Sequence, residues 1–295
     1  MLSILIPTFN YSVSNLLLTL EKELKTVGFN YEILCLEDGS ESHIENNKAI
    51  CDFIKNANHL ISKENKGRIS SRMALAHHAK YDWLLFLDAD VAAKNETVIK
   101  NYSNYFDDKH DVIYGGYRYA HNQPNTVFLL RWTYGKTYEE VDAHKRNKTP
   151  YKVVISGNFM IKKHVFLDIN SEIDSDGYGY DNIFGALMRA KKTKVFHIDN
   201  TVNHNGLDEN SIFLKKVEKA VETLYTYYVQ HKTLVTENSL LEFYKSAKRV
   251  GLNKIISVVF KLTKNPIRKQ ILGKTPNMKL LQFYKLGYLC SLSPK

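Results

Sequence analysis

Cysteine is scarce, with three in 295 residues at positions 35, 51 and 290, and no spacing among them suits a metal site or a redox pair. They read as buried or incidental thiols, and a reducing, cytoplasmic setting is expected. No apolar run approaches the ~20 residues of a membrane span; the longest, such as Ile255 to Phe260 (IISVVF), belong to ordinary elements. The apolar start LSILI at 2–6 has no cationic segment before it and ends at Pro7, so it reads as a core strand rather than a secretory leader. Internal repeats and low-complexity linkers are absent. So is a glycine-rich, lysine-bearing loop after the first strand, where PTFNYSVSN stands instead, which argues against a triphosphate cradle. The last absence is of one charge sign. From Phe243 to Lys295 there are twelve Lys and Arg but no Asp or Glu, so the rest of the chain carries 29 basic against 31 acidic residues and the formal charge of +10 sits in the tail.

What is present reads as a globular protein, 44% hydrophobic and 24% charged. Short β-rich runs alternate with helical patterns, the signature of strand–helix units around a mostly parallel sheet flanked by helices, an α/β fold. Strands are expected at Ser3 to Ile6, Tyr31 to Leu36, Trp83 to Leu87, Val112 to Tyr114, Val153 to Ile155 and Lys194 to Ile198. The first three run into PTFN, EDGS and DAD, polar turns at the carboxyl ends of strands, where open α/β sheets gather their ligands. After His204 the pattern turns helical. Phe213, Val217, Val221 and Leu224 recur at helical spacing behind Asn210 and Ser211 as caps. A second stripe, Leu252 to Phe260, is expected to stop before Pro266, and a third runs from Met278 to Leu289. The expected division is an α/β body, residues 1–208, and a helical basic extension, residues 209–295.

In YDWLLFLDADV, residues 81–91, Asp88 and Asp90 stand two apart. Alternate side chains of an extended segment face the same way, and two carboxylates aimed at one point favour a cation between them. All-oxygen ligation suits Mg2+ or Mn2+ rather than zinc. A D-x-D after a strand is also a common strand-end turn, so the pair alone does not decide the matter.

SILIPTFN (3–10), YEILCLEDGS (31–40), NKGRISSRMALAHHA (65–79) and WLLFLDADV (83–91) occur in this order. Together they resemble the nucleotide-binding half of family 2 glycosyltransferases, which have the GT-A fold. The resemblance implies that Pro7, Thr8, Phe9 and Asp38 hold the uracil and ribose of a nucleotide sugar. It also implies that Gly67 and Arg72 belong to the donor site, Arg72 offsetting phosphate charge as a forked cation. Glu37, Ser71 and Met73 depart from the family pattern. Asp88, Ala89 and Asp90 would contact the donor, Asp90 chiefly on the metal and Asp88 at ribose or metal. ISGNFMIKKHVF (155–166) resembles the segment bordering the donor sugar, with Gly157 admitting close approach and Asn158 beside it. GYGYDNIFGALMRAKKTKVFHID (177–199) resembles the G-x-E-D segment, which puts Asp181 on the acidic base and Tyr180 where a partner glutamate is missing. TVNHNGL (201–207) resembles the V-x-H-x-G-L of some bacterial members, so His204 would either ligate the metal or contact the diphosphate.

The resemblance thus implies a Mn2+- or Mg2+-dependent, inverting hexosyl- or N-acetylhexosaminyl-transferase. It would move sugar from a nucleotide diphosphate donor, a UDP-sugar by expectation, to a hydroxyl of a cell-surface glycan or lipid-linked acceptor, with Asp181 taking the proton. Tyr180 keeps open a catalytically impaired nucleotide-sugar or glycan-binding protein, and kinship of nucleotide-binding folds keeps open a sugar nucleotidyltransferase. Within 115–150, Tyr117, Arg118, Arg131 and Trp132 are candidates for an acceptor site. The basic tail carries no nucleic-acid-binding motif. Its lysine-flanked apolar stripes suit either packing on the body or an anionic membrane surface through residues 243–295, each cation there contributing ~1 kcal/mol. The expected location is cytoplasmic and peripheral on the inner face of the plasma membrane.

Overall fold

Continuous apolar runs, buried on both faces, make the central strands. In the computed structural model, which describes residues 1–93, 97–173, 177–231 and 237–292, the chain begins as regular strand–helix alternation. Its order is β1 (Leu2–Thr8), α1 (Ser14–Leu24), β2 (Tyr31–Asp38), α2 (Ile44–Phe53), β3 (Ala57–Ser62), α3 (Arg68–His78) and β4 (Trp83–Leu87). There follow β5 (Val91–Ala93), α4 (Val98–Ser103), β6 (Val112–Tyr114), β7 (Tyr117–Arg118), α5 (Leu129–Tyr134) with a π-helical turn at Gly135–Glu139, and α6 (Ala143–Arg146). Next come β8 (Asn158–Lys162), α7 (Lys163–Asn170), α8 (Tyr180–Ala190), β9 (Val195–His197) and β10 (Val202–His204). Four helices close the described chain: α9 (Asn210–Gln230), α10 (Ser239–Arg249), α11 (Leu252–Ile271) and α12 (Met278–Leu292). Lys295 of the basic tail lies outside the described residues.

The main sheet has seven strands in the order β3-β2-β1-β4-β8-β6-β9, parallel except for β8. Parallel strands covered by helices on both faces have no solvent side, which is why LSILI, YEILCL and WLLFL read as nearly continuous apolar runs, broken only by Ser3 and Glu32, which hydrogen-bond to each other. The pairing Thr8 to Glu37 and Leu5 to Phe86 brings the ends of β1, β2 and β4 to one edge. Because β8 runs the other way, its start arrives at that edge too, Asn158 opposite Leu87. The Asp88 N–H donates to the Gly157 carbonyl at 3.1 Å. A second sheet, β5-β10-β7, carries His204 to the same side, opposite Val91.

A fully buried arginine fastens this corner. The Arg146 guanidinium, 1% exposed, donates to the carbonyls of Val141, Tyr114, Gly115 and Ile198 and to His197 Nδ1 at 2.8 Å. With Nδ1 accepting and Nε2 donating to the Pro150 carbonyl at 2.9 Å, the His197 ring is neutral, and burial lowers its pKa to about 4.

Several expectations are corrected. Val153 to Ile155 is irregular chain; the strand is β8, five residues on. Val153 and Val154 face a cleft, whereas Phe159, Met160 and Ile161 fill the core. Asn210 and Ser211 are helix residues, not caps; the Asn210 carboxamide instead accepts from the Leu130 N–H and donates to the Thr126 carbonyl. The helix over 252–260 continues through Pro266 to Ile271. The missing hydrogen bond falls on the exposed side, at Leu262, while Ile267 and Ile271 are buried beyond the proline in a core shared with α9 and α12. The third stripe, α12, is inside: Leu281, Tyr284, Leu289 and Cys290 are buried.

Candidate active site

The ends of β1, β2 and β4, the turn before β8 and the chain beyond β10 enclose a cleft of about 380 Å³. Pro7, Thr8, Phe9, Asp38, Asp88, Ala89, Asp90, Asp181 and His204 line it. Phe9 and Tyr11, 52% and 39% exposed, present aromatic faces at its β1 side, a surface on which a planar base can stack. Gly67, Arg72, Gly157 and Asn158 are not among the lining residues and act behind it. Gly67 N–H donates to Asp38 Oδ2 at 2.9 Å, and Lys66 N–H to Oδ1 at 2.8 Å, which ties the end of β2 to the start of α3. Asn158, fully buried, accepts from the Tyr102 hydroxyl and donates to the Gly116 and Asn200 carbonyls. Its amide hydrogen-bonds within this corner of the fold.

Glu37, where the family pattern has aspartate, also faces inward. Its carboxylate accepts from Asn47 Nδ2 at 2.7 Å and the Ser40 hydroxyl at 2.5 Å, and lies 3.2 Å from His59 Nε2. The longer side chain thus braces α2 and the turn after β2 against the sheet.

The two aspartates after β4 have different surroundings. Asp88 is held on both oxygens by arginines of α3, Arg68 on Oδ2 and Arg72 on Oδ1, each at 2.6 Å. Burial works against its charge, but the two guanidiniums outweigh that and keep its pKa below the usual carboxylate range. Arg72 also donates to the Ser156 carbonyl at 2.9 Å. Arg68, which lines the cleft, has no place in the sequence reading; the signal was its spacing, one helical turn before Arg72 on the same face.

Asp90 has no such partners. Its Oδ1 is buried without a hydrogen bond, as is Nδ1 of His204, and its Oδ2 lies 3.8 Å from His204 Nε2. Burial raises its pKa, with His204 opposing. A desolvated carboxylate oxygen without a donor, beside an imidazole, fits a divalent cation whose remaining positions are filled from ligand and water. Among the described residues no group of three or more His, Cys, Asp and Glu gathers as a ligand set; a cation there would find Asp90 and His204, with Asp88 engaged by arginines. Two glycines make the arrangement possible. A Cβ at Gly206 would strike the Asp90 carboxylate, and one at Gly157 the Asp88 carboxylate and Tyr117 hydroxyl.

Asp181 lines the same cleft, in the first turn of α8 behind Gly179 at the cap position. It is an exposed residue, crowded by the walls of the cleft it lines. That desolvation raises its pKa, against the opposing charges of Arg68 and Arg72 and a hydrogen bond from Ser156. Tyr180 packs against the main core. Of the loop candidates, Tyr117 and Arg131 line the cleft. Arg118 pairs with Glu140 and Asp142, and Trp132 donates to the Ala120 carbonyl. Glu139, Tyr178, Asp208 and Lys216 also line the cleft and were not legible in the sequence, because only the packing of their loops and helices against the sheet brings them to it. Arg131 pairs with Glu139 at 3.0 Å, and Lys216 with Asp208 at 2.7 Å beneath the Tyr178 ring.

The sequence model for Glycosyl transferase family 2 matches residues 3–169. No curated protein sequence matches the chain. Among solved structures, a mannosyltransferase from Pyrobaculum calidifontis in complex with GDP-Man and Mn2+ superimposes with a TM-score of 0.51 at 11% identity, over 78% of this chain and 64% of that one. Mannosyl-3-phosphoglycerate synthase from Rubrobacter xylanophilus superimposes with a TM-score of 0.54 at 13% identity, over 80% and 76%. The likeness is one of fold, the GT-A arrangement of a mostly parallel sheet between helices.

Proposed function

The chain belongs to glycosyl transferase family 2, and from that premise we propose a divalent-metal-dependent, inverting glycosyltransferase. It moves a hexosyl or N-acetylhexosaminyl group from a nucleotide diphosphate donor, expected to be a UDP-sugar, to a hydroxyl of a cell-surface glycan or lipid-linked acceptor. The observation that carries this reading is the gathering in one cleft of Asp181 with Asp90 and His204, whose Oδ2 and Nε2 lie 3.8 Å apart. Phe9 and Tyr11 offer the base a stacking face and Asp38 lies beside them. Arg68 offsets charge on the diphosphate. Asp90 and His204 would hold Mn2+ or Mg2+, which when bound neutralises the departing diphosphate. Asp181 takes the proton of the acceptor hydroxyl as its oxygen bonds to the anomeric carbon and the bond to the diphosphate breaks on the opposite face. Its raised pKa makes it a better proton acceptor than an ordinary aspartate.

A screen of nucleotide sugars for hydrolysis with and without Mn2+ tests the reading. One donor class is expected to be consumed, and chelation to abolish it. Binding of UDP with metal but no consumption of any donor across an acceptor panel would favour the impaired binding protein.

The basic extension supports a peripheral membrane position, cytoplasmic face by expectation. No described helix is long and apolar enough to cross a bilayer, and α12 is buried, which narrows the surface to the end of α10 and to α11. There Phe243, Val250, Leu252, Ile255, Val258 and Leu262 are exposed, Leu262 by 79%, amid Lys248, Arg249, Lys254 and Lys261. An apolar stripe ringed by cations is complementary to an anionic lipid interface. The protein is expected to sediment with phosphatidylglycerol-containing vesicles and not with pure phosphatidylcholine. Ile255→Asp with Leu262→Asp is expected to weaken that about a hundredfold without changing the melting temperature, since neither side chain is packed. Equal sedimentation with both vesicles, or with the variant, would remove the proposal.

A further inference from the structure

Asp181, Glu139 and Tyr178 are shared between the donor cleft and a second cavity of about 230 Å³. This cavity is walled by the rings of Tyr134, Tyr138, Tyr178 and Phe213, flat apolar faces of the kind that pack against pyranose rings. Lys285 of α12 lines it as well. Lys285 is half-buried and makes no ion pair with any described carboxylate; its Nζ lies 5.8 Å from the centre of the Tyr134 ring.

The nearby acids are already engaged. Glu139 accepts from Arg131 and the Tyr119 hydroxyl, and Asp181 from Ser156. Other tail lysines find carboxylates, Lys245 with Glu242 and Lys264 with Glu218. An aromatic face returns to an ammonium less than its desolvation costs, and burial accordingly lowers the Lys285 pKa. A cation undercompensated in this way, in a cavity that Asp181 also lines, is suited to receive an anion carried by a ligand.

We propose that this cavity seats the acceptor and that Lys285 receives an anionic substituent on it, a phosphate or a carboxylate. The inference rests on the transferase reading, which makes Asp181 the point that an acceptor hydroxyl must reach. The substituent then sits on the α12 side of that hydroxyl, and the acceptor is an acidic saccharide or a phosphorylated one.

Amine-reactive labelling of the intact protein, followed residue by residue by mass spectrometry, reads the site directly, with exposed Lys254 as the solvated control. Inorganic phosphate or D-glucuronate is expected to slow labelling of Lys285 at least about fivefold, and equal concentrations of D-glucose or chloride are not. Protection by phosphate alone points to a phosphorylated acceptor, and by glucuronate alone to an acidic sugar. Equal rates with all four probes, equal slowing at Lys254, or a Lys285 that the reagent does not reach would each overturn the proposal. The donor screen separates the two readings: donor turnover without protection of Lys285 removes this inference alone, and protection without turnover of any donor removes the transferase and leaves an anion site.

Discussion

Asp181→Asn is expected to lower kcat for sugar transfer about a thousandfold, or ~4 kcal/mol of transition-state stabilisation, while the affinity for donor stays within about twofold. The substitution keeps size and shape at the first turn of α8 and removes the negative charge, and with it the ability to accept a proton. The wild-type rate should fall as pH falls through the Asp181 pKa, because only the ionised carboxylate is a base. Since desolvation raises that pKa above the ordinary 3.8, the loss should set in at a higher pH than for a solvated aspartate, and the Asn variant should show no such limb. A purely structural Asp181, as an acid favouring the helix N-terminus, predicts instead a loss of stability of ~0.5–1 kcal/mol with kcat unchanged. Steady-state kinetics from acid to neutral pH, alongside melting curves, decide between them.

Asp90→Asn is expected to be nearly as damaging to catalysis, about a thousandfold, but with a different signature. Affinity for Mn2+ in the presence of nucleoside diphosphate should collapse, and residual activity should no longer respond to metal. The melting temperature should hold or rise, because a carboxylate with a buried, unpartnered oxygen is a cost to the folded state that a neutral amide reduces. Asp88→Asn should do the opposite to stability, since it leaves Arg68 and Arg72 without the charge that both now face. Paramagnetic titration of Mn2+ with the Asp90 variant is the direct measurement. Unchanged metal affinity together with metal-stimulated donor turnover would end the assignment of Asp90.

The difference between the two aspartates shows where sequence reading stops. Strands β1, β2 and β4 are legible because a strand buried on both faces is apolar at most positions, and their polar ends mark the ligand edge for the same reason. Strand β3, ANHLIS, mixes polar residues into a partly exposed edge position of the sheet and gives no such run. Strands β5, β7 and β10 are two or three residues long and exist only through their pairing. A proline normally ends a helical stripe, yet α11 passes through Pro266 because burial of Ile267 and Ile271 outweighs one hydrogen bond lost at the surface.

The sequence by itself determined the class of fold and the three polar turns after β1, β2 and β4, because periodicity and turn chemistry are local and survive in one dimension. Only the tertiary structure decided what each polar group does there. Two arginines one turn apart on α3 reach Asp88 and none reaches Asp90; Glu37 and Asn158 spend their hydrogen bonds inside the fold; and Lys285, more than a hundred residues from Asp181, comes to line a cavity that Asp181 also lines. Charge compensation depends on distances between groups far apart in the chain, and those distances are fixed only when the sheet and the C-terminal helices have packed.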